Sequence, residues 1–219
     1  MNQNIVIRTD GSGTLAMHAE VSPLLHDYIA SLAEMSGKTD VMKNGKLFDA
    51  AAIKKDFEVR PGITVKKAVT PTPDSLDLEL AYLSLTDVFT SDPSLKSAGA
   101  LVYAEANGKK SVKLHLDRTN YTQLSAIFPQ LKDPIFATLG PQVDDTITEA
   151  EYLDMVKFSL GDDGPALLKK SYITLVIKPE GQIVSQSGGT LNGGAVTFKI
   201  PLLRILVLDK PLDYSVTFL

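Results

Sequence analysis

The sequence predicts an α+β fold, with a mainly antiparallel sheet, helices packed on one face of it, and a helical insertion in the middle. Runs of alternating apolar and polar residues are joined by short Asp-Gly and Asn-Gly turns, which is typical of antiparallel hairpins. Segments with apolar residues at helical spacing dominate the middle of the chain. The prediction is therefore one domain, residues 1–219, in which residues 119–170 are the helical insertion.

The N-terminal segment predicts a hairpin followed by a helix. Ile5 to Thr9 and Thr14 to Val21 have the character of strands, and Asp10-Gly11-Ser12-Gly13 between them is a turn sequence. Ser22-Pro23 predicts a helix start, because serine caps well and the missing N–H of proline is not needed in the first turn. We expect that helix to end at Gly37.

The next segments again combine a helix with strands. A helix is expected at Asp49 to Glu58, with strands at Ile63 to Val69 and Leu76 to Leu85. Ala100 to Glu105 and Ser111 to Arg118 predict a second hairpin about Asn107-Gly108.

The insertion is helical in tendency but interrupted. Prolines divide it into short pieces, at Pro129, Pro134 and Pro141. Thr148 and Glu151 form a capping box that opens a helix near the end of the insertion. The last third of the chain returns to strands with glycine turns between them, at Tyr172 to Lys178, Gln182 to Gln186, Ala195 to Ile200 and Tyr214 to Leu219.

Composition excludes several functional classes. The chain has 22 basic and 26 acidic side chains, a net charge of −4, so no nucleic-acid partner is predicted. The absence of cysteine excludes thiol nucleophiles, disulfides and iron–sulfur clusters. The three histidines lack metal-binding spacing, and neither a cofactor nor a metal is predicted. No catalytic signature is present, so the prediction is a protein that is not an enzyme.

One candidate ligand site can be named from the pattern. A helix laid across an antiparallel sheet can enclose an apolar cavity if its packing is incomplete, although ordinary core packing is the alternative. Residues of the first helix and of the insertion would line such a cavity: Leu25, Tyr28, Ile29, Leu32, Phe128 and Phe136. We interpret them as candidate ligand-binding residues for a lipid-like molecule.

The C-terminal strands resemble a known family. Ile173 to Ile177 leads into Lys178-Pro179-Glu180-Gly181, and Ala195-Val196-Thr197-Phe198 and Tyr214 to Phe218 follow. This order resembles the extracytoplasmic domain of LppM-like bacterial lipoproteins, and Asp10-Gly11-Ser12-Gly13 with its flanking strands is also similar. Phe198 stands where that family often has tryptophan, and the resemblance covers the two ends of the chain only.

The resemblance implies a location and a class of partner. It implies an extracytoplasmic cell-envelope domain, in the periplasm or at the cell surface, that is lipid-anchored in the natural protein. An export signal and an anchoring cysteine would then precede residue 2. The implied partners are a lipid or glycolipid, or an envelope protein, and the membrane is reached only through the anchor.

Two other functional classes stay open. A structural or adhesive module would expose an apolar patch, for which Leu202 to Leu208 is the candidate segment. An enzyme of unrecognised type would require polar residues such as His18, Asp117 and Arg118 to converge in one cleft.

Overall fold

The structure is a computed structural model that describes residues 1–37, 42, 44–91, 99–122, 140–141 and 146–219. Its strands are β1 (Asn2–Ile7), β2 (Gly13–Glu20), β3 (Ile63–Val69), β4 (Ser75–Tyr82), β5 (Leu101–Ala106), β6 (Lys109–Leu116), β7 (Tyr172–Pro179), β8 (Ile183–Ser187), β9 (Thr190–Asn192), β10 (Ala195–Pro201) and β11 (Leu212–Phe218). Its helices are α1 (Pro23–Met35), α2 (Ala50–Glu58), α3 (Leu85–Ser91), α4 (Glu149–Leu160), α5 (Asp163–Lys170) and α6 (Leu202–Val207).

The α+β fold class is confirmed, and the strands form two sheets. One sheet has seven strands in the order β3-β4-β2-β1-β7-β10-β9, and the other has four in the order β5-β6-β11-β8. Pairing between the described strands is antiparallel except for β1 and β7, which run parallel. The sequence predicts a single sheet with helices on one face, whereas here the smaller sheet itself covers part of the larger one.

Both predicted hairpins are present. In the β1–β2 turn, Gly11 has φ +82° and the Asp10 carboxylate accepts a hydrogen bond from the Ser12 N–H at 2.9 Å. The β5–β6 turn consists of Asn107 and Gly108, both with positive φ (53° and 71°). This is the backbone geometry that two-residue hairpins prefer, and it explains why Asn-Gly occurs there.

Helix α1 starts and ends as predicted. The Ser22 hydroxyl accepts a hydrogen bond from the Leu25 N–H at 3.3 Å, and Pro23 is the first helical residue. Gly37 follows the C-terminal turn with φ +68°. Thr148 and Glu151 likewise form the predicted capping box at the start of α4.

The larger sheet has one covered inner face. Ile5 of β1 lies directly opposite Leu15 of β2, so both side chains point to that face. At the β2–β4–β3 end it packs against α2 through Ile53 and Phe57. At the β1–β7–β10 end it packs against the smaller sheet, and this main core includes fully buried Val216.

The described helices α4, α5 and α6 form a third cluster. Tyr152, Leu168, Leu203 and Val207 are its buried members. Helix α6 contains most of Leu202 to Leu208, the candidate adhesive segment. Leu203, Val207 and Leu208 are buried, so the segment packs inside the protein and does not form the expected exposed patch.

Candidate functional site

The two sheets face each other across a narrow apolar space. Four residues of the smaller sheet and four of the larger one line it: Leu101, Val112, Leu114 and Tyr214 on one wall, and Leu175, Ile177, Phe198 and Ile200 on the other. This space, the inter-sheet gap, has a volume of about 10 Å³, no more than a single water molecule needs. Ligand pockets for drug-sized molecules are far larger, about 300–1,000 Å³. The two walls are packed together here, and a ligand would enter only if the sheets moved apart.

The two walls of the gap differ in exposure. Ile177, Phe198 and Ile200 on the larger sheet are only 2–3% exposed. Leu101 and Leu114 on the smaller sheet are half-buried, although they point toward the opposing sheet. Inward-facing residues of packed sheets normally interdigitate and form a closed core. Leu114 nevertheless packs against the main core and is partly accessible to solvent, as is Leu175 of the opposite wall.

The chemistry of the gap is almost purely apolar. Tyr214 is the one lining residue with a polar side-chain group, and its ring meets Phe198 edge-on with centroids 5.6 Å apart. Burial raises the pKa of the Tyr214 hydroxyl, which is therefore a neutral group at physiological pH. None of these eight side chains carries a charge that could activate a nucleophile or hold a metal.

A second, shallower groove lies at the end of the larger sheet. It is formed by residues 178–183 and 191–194, has a volume of about 830 Å³ and is open to solvent. Gly181 is required there, because a β-carbon at this position would lie 1.7 Å from the carbonyl oxygen of Leu219. The groove is wide and mixed in polarity, and it lacks the enclosure of the inter-sheet gap.

The predicted ligand-binding residues of α1 lie elsewhere. Ile29 is 3% exposed, and Leu25, Tyr28 and Leu32 are half-buried. None of the four lines the inter-sheet gap or the groove. The other two residues of that prediction, Phe128 and Phe136, lie outside the described residues. A ligand role for these six residues stays a prediction.

The polar residues named for the enzyme alternative do not converge. His18 binds the Asp77 carboxylate through Nδ1 at 2.7 Å. Asp117 lies 3.3 Å from Nε2 of another histidine, His115. The guanidinium of Arg118 instead donates to backbone carbonyls. Each residue thus has its own separate partners.

His115 lies between two carboxylates on the smaller sheet. Its Nδ1 is 2.7 Å from Asp213 and its Nε2 is 3.3 Å from Asp117. The hydrogen bond to Asp213, followed by the one to Asp117, raises the pKa of His115. Hydrogen bonds from the hydroxyl and N–H of Thr119, and from the Asn120 N–H, lower the pKa of Asp117, so that carboxylate stays ionised in mildly acidic solution.

These shifts predict a small pH dependence of stability. A histidine whose pKa is raised on folding stabilises the fold below its unfolded pKa, about 6.5, and that contribution is lost as pH rises through the folded pKa. Because His115 is half-exposed, we expect at most about 1 kcal/mol. Urea unfolding at pH 5.5 and 8 should show this difference, and His115→Gln should remove it. An unchanged difference in the variant would assign it to other groups.

The helices give no membrane-crossing segment in the described part of the chain. None of those helices is long and apolar enough to span a bilayer.

Comparison with known proteins gives a distant likeness. No family model matches the chain, and no curated protein matches it. Among solved structures, the NMR structure of the folded domain of the LppM protein of Mycobacterium tuberculosis is similar, with 12% sequence identity and a TM-score of 0.44. The similarity covers 99% of this chain and 86% of that one. This is the family that the terminal strands resemble, and the similarity is distant.

Proposed function

We propose that this protein is a non-enzymatic, extracytoplasmic domain of the lipoprotein type whose two sheets separate at the inter-sheet gap to bind one hydrocarbon chain of a lipid-like ligand. The observation that supports the proposal is the partial exposure of Leu101 and Leu114, which line the apolar contact between the two sheets. Covering such surface is favourable by about 25 cal/mol per Å². A ligand inserted between the sheets would cover this partly exposed surface.

The dimensions and polarity of the gap indicate the ligand class. The gap holds only about 10 Å³, so the two sheets would have to separate to admit a ligand, and a single alkyl chain requires the smallest separation. The walls offer one hydroxyl, on Tyr214, so the buried part of the ligand would be hydrocarbon and its polar head would stay outside. A lipid or glycolipid meets both conditions.

The envelope location in this proposal rests on the sequence resemblance of the two ends of the chain and is independent of the gap. The natural protein would then be exported and lipid-anchored, and an envelope protein is the alternative partner. Fractionation of cells that express the natural gene checks this part: recovery in the cytosolic fraction would contradict it without affecting the ligand proposal.

Decanoate is a suitable probe of the gap. We expect it to bind the purified protein in isothermal titration calorimetry, because its alkyl chain is slender and its carboxylate can remain in water. Leu114→Trp should weaken binding at least about tenfold, equal to about 1.4 kcal/mol, since the larger side chain would take the place between the sheets that the alkyl chain needs. The chain contains no tryptophan, so the new side chain also reports its own burial by a blue-shifted emission.

Two further variants locate the site. Val184→Trp places the same residue on an exposed position of β8, 47% exposed, and should leave binding unchanged. Leu32→Ala tests the predicted site on α1. Loss of decanoate binding in Leu32→Ala, with retention in Leu114→Trp, would transfer the ligand site to α1. No binding to the unmodified protein would overturn the ligand proposal altogether.

A further inference from the structure

The outer strands of the two sheets differ in how well they are protected against pairing with another chain. Sheet edges in natural proteins are usually blocked by lysines, prolines, bulges or short length. Among the described strands, β3 carries Lys66 and Lys67 with a register shift, β8 pairs with β11 through a shift, and β9 has three residues. Strand β5 has six residues in unbroken register and no lysine or proline, and its described neighbour besides β6 is α3, whose Phe89 ring lies 6.0 Å from that of Tyr103.

One hydrogen bond shows which backbone N–H and C=O groups of β5 face β6. The His115 N–H donates to the Ala100 carbonyl at 2.8 Å, which makes these two opposite residues a hydrogen-bonded pair. Because hydrogen-bonded and non-hydrogen-bonded pairs alternate, Val102, Ala104 and Ala106 also direct their N–H and C=O groups toward β6. The groups of Leu101, Tyr103 and Glu105 therefore point away from β6, to an edge with which no strand in the described part of the chain pairs.

We propose that β5 pairs antiparallel with β5 of a second copy of this chain, centred on Tyr103. In that register Tyr103 faces itself and Leu101 faces Glu105 of the second copy. Every outward N–H and C=O of these residues then has a partner, and the inner and outer faces of the two small sheets stay aligned. A shift by two residues in either direction leaves part of these groups unpaired.

The side chains fit this self-pairing. On the outer face Val102, 42% exposed, lies opposite Ala104 of the second copy, so small apolar groups meet. Glu105 is the one charged residue of β5, and in this register it does not face its own copy. Like charges directly opposite each other would destabilise a pair of strands. The dimer would join the two four-stranded sheets into one continuous sheet.

Edge-blocking variants test the dimer. Sedimentation equilibrium of the unmodified chain at tens of micromolar should show a species of twice the 23.6 kDa chain mass. Glu105→Pro removes an outward N–H and leaves the β5–β6 ladder intact, so it should yield a folded monomer. Glu105→Ala removes the same side chain but keeps the N–H, and it should remain dimeric. A monomeric unmodified chain, or a dimeric Glu105→Pro variant, would overturn the proposal.

Cysteine cross-linking tests the register and does not depend on the proline variant. Opposite residues in a non-hydrogen-bonded pair have Cα atoms about 4.5 Å apart, within the range of about 4.4–6.8 Å that disulfides tolerate. The chain has no cysteine of its own. A mixture of Val102→Cys and Ala104→Cys chains should therefore oxidise to a mixed disulfide dimer faster than either variant alone. Equal rates, or no cross-linking, would contradict pairing centred on Tyr103.

Discussion

Replacing Gly13 by alanine should destabilise the protein by about 2–5 kcal/mol, the sum of an overpacking cost and the loss of one buried hydrogen bond. Gly13 lies opposite Tyr82, whose ring crosses the glycine so that its hydroxyl donates to the Val6 carbonyl at 2.7 Å. A β-carbon at Gly13 would be 2.0 Å from that carbonyl oxygen and 2.3 Å from the tyrosine oxygen. Both neighbours are held by strand pairing and cannot move away cheaply.

The measurement is urea unfolding followed by circular dichroism. Gly11→Ala is the matched control, because Gly11 lies in the same turn, has φ +82° and has open space around its β-carbon position. That control should cost about 1–2 kcal/mol from backbone strain alone. If Gly13→Ala costs no more than Gly11→Ala, the close approach of Tyr82 is not a constraint on the fold.

A double-mutant cycle separates the two causes of the Gly13 effect. Tyr82→Ala removes the ring and hydroxyl that would collide, while the contact with the Val6 carbonyl remains. In that background Gly13→Ala should destabilise the protein less than in the unmodified chain, because the tyrosine ring that collides with the new β-carbon is gone. Additive costs would show that the clash with the strand backbone dominates.

Local chemistry is what made much of this fold predictable. The turns at Asp10 to Gly13 and at Asn107-Gly108 require particular backbone conformations, and the residues that adopt them are few. The start of α1 at Ser22-Pro23 is predictable for the same reason. In each case the residues that determine the structure are neighbours in sequence.

The boundaries and type of apolar segments are harder to predict from the sequence. The strand predicted to reach Leu85 ends at Tyr82, and Leu85 instead opens α3. The signal was available, since the Ser84 hydroxyl caps this helix by accepting the Asp87 N–H at 3.1 Å. Leu202 to Leu208 is apolar nearly throughout, and such a run cannot be assigned to a helix or a strand from periodicity alone.

The candidate site could not be predicted, because it depends on pairing between distant segments. β1 pairs with β7, about 170 residues later in the chain, and this pairing decides which strands face the smaller sheet. Alternation in Val112 and Leu114 identifies an apolar face. It does not identify the opposing sheet, so the residues that line the inter-sheet gap could not be named from the sequence.

Replacing Arg118 by methionine should cost about 2–4 kcal/mol, since hydrogen bonds from a charged donor contribute about 1.5–3 kcal/mol. Arg118 follows β6, and its guanidinium donates through Nε and Nη2 to the Val207 carbonyl, both at 3.2 Å, and through Nη2 to the Ile147 carbonyl at 3.1 Å. Val207 ends α6, and Ile147 immediately precedes the capping residue of α4. One side chain therefore ties two helices to the smaller sheet.

The part of the structure that loses stability in Arg118→Met shows whether Arg118 holds the helices in place or stabilises the whole fold. Hydrogen exchange should accelerate in α4, α5 and α6 of Arg118→Met and change little in the seven-stranded sheet, because the helices would open locally once their carbonyls lose a donor. Arg8→Met is the matched control: Arg8 is half-exposed and lies 4.0 Å from Glu180, a surface pair for which less than about 1 kcal/mol is expected. Arg118→Lys should fall between, since lysine keeps the charge but cannot reach both carbonyls with the geometry of a planar fork. Uniform acceleration across both sheets would show that Arg118 stabilises the whole fold and not the docking of the helices.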